Sequence, residues 1–157
     1  MSVSVDYEAR RQELRRRYLT APPQEHTTGV GVNHLALICS DIERTIDFYM
    51  QVLGFPLTEL FQNRDLPSST HFFFDIGNGN RLAFFDFPEH PMPATREAIG
   101  GMHHIAISVD PEQFEAICQR LRERGIPNLG PQQVTDSMYF HDPDGALIEI
   151  TRHPLRG

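Results

Sequence analysis

At 157 residues the chain is long enough for one domain with a real core, and 39% hydrophobic against 22% charged residues is the balance of a globular protein in water. A formal charge of −7 counts against nucleic acid as a partner, because phosphate binding needs a basic face. No apolar run approaches the ~20 residues of a membrane span and no signal-peptide core follows Met1, so the expectation is a cytoplasmic protein with no membrane partner. Cys39 and Cys118 stand in no metal or redox spacing and read as small buried thiols of a reducing compartment. Eight histidines are many for this length, and they are the one compositional hint of chemistry.

In chain order, residues 1–29 read as a helical extension and linker. The spacing predicts a helix over 6–19, with Tyr7, Leu14 and Tyr18 near one side and Arg10, Arg11, Arg15, Arg16 and Arg17 over much of the rest. The arginines admit an anionic partner, but the Tyr/Leu stripe favours a solvated helix packed on the body or on a second subunit. Ala21-Pro22-Pro23 ends it. Residues 30–157 then read as one domain made of module one (30–88), a Pro/Gly-bearing linker (89–100) and module two (101–152). In module one a strand at 31–40 leads through a capping box at Ser40 and Glu43 into a helix carrying Ile42, Ile46, Tyr49 and Leu53, with Gly54 past its end. Extended pieces follow at 57–61, 71–76 and 81–87, the last two joined by a Gly77-Asn78-Gly79-Asn80 turn. Module two repeats the plan: a strand from His103, a cap at Asp110 with Pro111 and Gln113, a helix through Phe114, Ile117, Cys118 and Leu121, and Gly125 as the stop. Its extended pieces are expected near 131–135, 137–141 and 146–151. The fold class is therefore α+β, two paired βαβββ modules forming a cupped mixed sheet.

The duplication carries the chemistry. His34-Leu35-Ala36-Leu37 lies over His104-Ile105-Ala106-Ile107, and period-2 alternation puts each histidine on the face opposite the core. Aligning the last strands on Gly79 and Gly145 sets Ala83 opposite Glu149. Glu149 sits between Ile148 and Ile150, where an unpaired carboxylate is costly to bury, so it is expected to point the same way as His34 and His104. A lone strand histidine is more often structural than ligating, and a lone buried glutamate more often meets an arginine. Two histidines at one register with an acid on a third equivalent strand change that balance. They form a 2-His-1-carboxylate set, suited to a divalent metal with open positions, non-haem Fe(II) above all, and able to hold Zn(II).

Val32-Asn33-His34-Leu35-Ala36, the run from Asp41 to Phe55, and Phe140-His141-Asp142-Pro143-Asp144-Gly145-Ala146-Leu147-Ile148-Glu149 resemble the vicinal oxygen chelate superfamily. That superfamily includes glyoxalase I, extradiol dioxygenases, fosfomycin-modifying transferases and bleomycin-resistance proteins. The resemblance covers 30–152 and implies a cupped sheet around a metal held by His34, His104 and Glu149, and a homodimer. Glyoxalase-like members carry a fourth ligand where this chain has Ala83, and metal-free binders lack the ligands. The His103-His104 pair, Ala83-Phe84 and Tyr139 resemble the extradiol type most. That type implies Fe(II), with Mn(II), Zn(II) or Ni(II) as other metals, opening a small catechol-like aromatic. A lyase, an isomerase, a thiol transferase or a non-catalytic binding protein is the alternative. The resemblance gives Tyr139 a hydrogen bond to substrate oxygen, against an equal case for a core aromatic. The family's acid/base histidine falls near Asn80, which cannot shuttle protons, so His71 or His141 is the substitute candidate. Half of Phe72, Phe73, Phe74, Phe84, Phe85 and Phe87 are expected to line an aromatic pocket.

Overall fold

The computed structural model describes residues 7–19, 31–95, 97–131 and 136–153. The chain divides into two compact units, Met1–Gly31 and Val32–Gly157. In the first unit, α1 (Tyr7–Tyr18) buries no residue, and its Tyr7 and Tyr18 are each 66% exposed. Glu8 pairs with Arg11 and Arg15 along the helix.

The second unit repeats one plan. Module one runs β1 (His34–Cys39), α2 (Ile42–Asp47) continuing as a π-helical turn (Phe48–Val52), β2 (Leu57–Gln62), β3 (Thr70–Asp75) and β4 (Arg81–Asp86). Module two runs β5 (Ile105–Ser108), α3 (Pro111–Glu123), β6 (Asn128–Leu129), β7 (Ser137–His141) and β8 (Leu147–Thr151). Each module forms a four-stranded mixed sheet, in the orders β1-β4-β3-β2 and β5-β8-β7-β6. The first strand pairs in parallel with the last, and the others are antiparallel. No helix among the described residues is long and apolar enough to cross a membrane.

Strand parity sorts the side chains. Phe72, Phe74, Leu82 and Phe84 of one sheet and Ile107, Ile148, Ile150, Met138 and Phe140 of the other join Tyr49, Leu53, Phe114, Ile117 and Leu121 in one core. Tyr49 is fully buried against Phe84 at 4.9 Å and Phe74 at 5.2 Å, and its hydroxyl donates to Asp142 at 3.1 Å, satisfying both partners across the modules. Burial pushes Asp142 above the usual carboxylate range, against the pull of backbone N–H bonds from Ala146 and Asp144. Cys39 and Cys118 are buried, and burial raises the Cys39 thiol to about 11, so neither is a reactive thiolate.

Local details differ from expectation. The cap of α2 is Asp41, which accepts from the Arg44 N–H at 2.9 Å, and not Ser40. Ser40 instead binds Asp144 of module two through its N–H at 3.0 Å and its hydroxyl at 2.5 Å, so the tertiary contact claims it. Asp110 does cap α3, but Gln113 donates to the Leu53 carbonyl at 2.6 Å instead of turning back to form a box. Gly54 permits that approach: at φ +77°, a Cβ there would lie 2.5 Å from the Gln113 amide nitrogen. The second strand of module two lies at Asn128–Leu129, ahead of the expected 131–135, of which 132–135 fall outside the described residues. β5 starts at Ile105, leaving His103 and His104 just before it.

Candidate metal centre

The parity that sends Phe72, Phe74 and Phe84 inward sends other side chains to the second face of the module-one sheet. His34, Arg81 and Asp75 share one row, Ala36, Ala83 and Phe73 the next, and Ile38, Phe85, His71 and Phe61 a third. This face is aromatic. Phe85 stacks on His71 at 3.7 Å, Phe73 lies 4.3 Å from His71, and Phe61 lies 5.3 Å away. His71 Nε2 is buried without a hydrogen-bond partner. Burial first, and the charge of His34 second, lower the His71 pKa, so its imidazole stays neutral at neutral pH. Of the six phenylalanines, Phe72, Phe74 and Phe84 are core, Phe73 and Phe85 belong to the second face beside Phe61, absent from the expected set, and Phe87 stacks on Phe85 at 6.0 Å just past β4.

The corresponding face of module two is polar. Ala106, Glu149 and Tyr139 are direct cross-strand neighbours, flanked by Ser108, Thr151 and Ser137 on one side and Leu147 and His141 on the other. His104 Nε2 lies 3.0 Å from Glu149 Oε2. The His104 ring meets Tyr139 edge-on at 6.1 Å, and Glu149, the cross-strand neighbour of Tyr139, raises the tyrosine pKa. Ala83 stands at the module-one equivalent of Glu149, as the register of both sheets requires.

The six expected site residues thus fall into two half-sites. His104, Glu149 and Tyr139 are together, with His141 on the same face and exposed. His34 and His71 share the module-one face. Among the described residues no three His, Cys, Asp or Glu side chains of one chain gather where they could hold an ion. His34 therefore does not join His104 and Glu149 within a chain. The donors present still fit a divalent cation: an imidazole nitrogen and a carboxylate oxygen converge on an open face, at a separation that one ion could bridge. A groove of about 870 Å3 lies elsewhere, between β1 and the segment around Pro88–Thr95, and none of the six residues lines it. Donor chemistry, not volume, locates the site.

Known proteins agree with this architecture. Residues 31–150 match the model of the Glyoxalase/Bleomycin resistance protein/Dioxygenase superfamily. The metallothiol transferase FosB of Shouchella clausii is 32% identical over 126 residues, covering 76% of this chain and 78% of its own. The Bacillus subtilis protein MhqA, assigned by name to the ring-cleaving dioxygenases, is 34% identical over 130 residues; the match covers 77% of this chain but 40% of MhqA. The crystal structure of a glyoxylase/bleomycin resistance protein/dioxygenase domain from Frankia sp. EAN1pec superposes with a TM-score of 0.67 at 17% identity, covering 78% of this chain and 97% of that one. Relatives of similar identity thus carry names from different reactions. The repeated module, the open faces and the family match together establish that this chain belongs to the glyoxalase/bleomycin resistance/dioxygenase superfamily, the vicinal oxygen chelate proteins.

Proposed function

We propose that two copies of this chain pair so that His34 of one meets His104 and Glu149 of the other around a divalent cation, and that the site opens a small catechol-like aromatic as an extradiol-type dioxygenase. The observation that carries this reading is the pairing of one polar donor face, His104 with Glu149 at 3.0 Å beside Tyr139, with one aromatic face bearing the matched His34. Pairing is favoured by the sheet edges. β1 and β5 each end a sheet, and Leu35 and Ile38 on β1 are 40% and 51% exposed, an apolar edge that pairing would cover.

His34, His104 and Glu149 would hold a divalent cation, iron(II) first, with manganese(II), zinc(II) or nickel(II) compatible with the same donors, and it would supply Lewis acidity toward a vicinal diol. The protein does the rest. Phe61, 45% exposed and backed by the stacked Phe73 and by Phe85 on His71, offers the apolar aromatic surface against which an aromatic ring would pack. Glu149 raises the Tyr139 pKa and so keeps its hydroxyl protonated; with Glu149 turned to the cation, that O–H would be released to donate to a substrate oxygen. His71, neutral and with Nε2 unpartnered behind the aromatic face, and His141 at the rim of the polar face are the two candidate bases.

Anaerobic reconstitution with Fe(II), followed by oxygen uptake with a panel of catechols, tests the reading. Uptake with at least one catechol is expected, and none at full iron loading overturns the dioxygenase. A thiol transferase or lyase using another divalent metal is the second reading. Arg81 beside His34 favours it, being a cation on the open face fit for an anionic substrate, although Glu59 at 2.8 Å already answers its charge. Purification without any stoichiometric metal would leave a non-catalytic binding protein.

A further inference from the structure

The side chain just before each candidate ligand histidine touches that histidine in both modules. In module one, Asn33 Oδ1 lies 2.7 Å from His34 Nδ1 and 3.3 Å from Arg81 Nη2. Arg81 is itself anchored by its other terminal nitrogen to Glu59 Oε1 at 2.8 Å and lies 4.8 Å above the Phe73 ring. In module two, His103 Nδ1 lies 2.6 Å from His104 Nδ1, while His104 turns Nε2 to Glu149.

The module-one contacts fix a proton by elimination. A guanidinium only donates, so the Asn33 atom facing Arg81 must be the amide oxygen. That oxygen only accepts, so the His34 nitrogen against it must carry hydrogen. A neutral imidazole with its proton on Nδ1 has its lone pair on Nε2, the nitrogen left to bind a cation. We propose that Asn33, locked by Arg81 and Glu59, is the positioning residue that holds His34 in the Nδ1–H form with Nε2 ready for the ion. His103 takes the same place beside His104, but as an imidazole it can give or take the shared proton. Module one is therefore the fixed half of the site and module two the adaptable half. The role of Nε2 rests on the metal reading above; the position of the proton does not.

The test uses the full chain, 15N-labelled and stripped with a chelator, with histidine ring nitrogens observed by NMR and His34 assigned through His34→Gln. The wild type is expected to show a single His34 tautomer protonated at Nδ1. Asn33→Ala should give a mixture of tautomers, and Asn33→Asp, which keeps an acceptor, should restore the single form. Asn33 is exposed, so neither change threatens the core. In parallel, Co(II) titration should weaken about ten- to hundred-fold in Asn33→Ala and recover in Asn33→Asp. A wild-type proton on Nε2, or an Asn33→Ala spectrum unchanged from wild type, overturns the proposal. A wild type that binds no Co(II) yet shows the Nδ1–H form contradicts the metal reading while upholding the role of Asn33.

Discussion

The two open faces are built on the same register and have opposite chemistry. Module one presents Phe61, Phe73, Phe85 and His71 around a single candidate ligand, His34. Module two presents Glu149, Tyr139, Ser137, Thr151 and His141 around His104. The two modules keep the same strand order and a histidine at the same register, and differ in what surrounds it. One face is apolar and the other carries charged and protic groups; on the proposed reading the first would take a flat substrate and the second an ion. At the pivotal position the exchange is Ala83 for Glu149, a buried methyl in place of a carboxylate.

The comparison can be broken by removing what is unique to the polar face. His104→Ala should abolish metal retention, read by elemental analysis, while circular dichroism stays native; full retention would contradict its ligand role. It can also be broken by making the faces alike. Ala83→Glu places a carboxylate at a site with no exposure, cross-strand from Phe73, so it should cost about 1–3 kcal/mol in chemical denaturation, even with added cation. Trimming the aromatic face should act on binding: Phe61→Ala is expected to raise KM roughly 2- to 10-fold, from about 0.5–1.5 kcal/mol of lost ring contact, with kcat little changed. The smallest effect is in pH. Burial lowers the His71 pKa in the folded chain, so the unfolded chain binds the proton more readily and stability falls as pH drops through the ordinary histidine value of 6.5. His71→Phe should flatten that acid limb in thermal melts run between pH 5 and pH 8. Asp142 carries the opposite sign. Its raised pKa costs stability as pH rises out of the ordinary carboxylate range, and Asp142→Asn should remove that slope.

Much of this was legible in the sequence because the chain states it twice. The register of His34 over His104 and of Ala83 over Glu149 followed from period-2 alternation anchored on turn glycines, and the strand pairings reproduce it. Turn chemistry behaved likewise: Asn78 and Gly79 both adopt positive φ, as that turn needs. Caps were harder, since Ser40 and Asp41 are adjacent and equally able; the choice fell to Asp144, 104 residues away. The role of Asn33 was hidden for the same reason, because its amide is oriented by Arg81 across a separation of 48 residues. The division of the donors into two half-sites was not legible either. Strand periodicity fixes which face a side chain takes, not which other sheet that face will meet.

A mixed dimer tests the central claim most directly. His34→Ala and Glu149→Ala chains, each expected to lose metal alone, are co-expressed with different tags, and the heterodimer is isolated by sequential affinity and analysed for metal. If His34 of one chain serves Glu149 of the other, the heterodimer contains one undamaged site and recovers metal. If all donors come from one chain, both sites are damaged, and a heterodimer as empty as its parents contradicts the account.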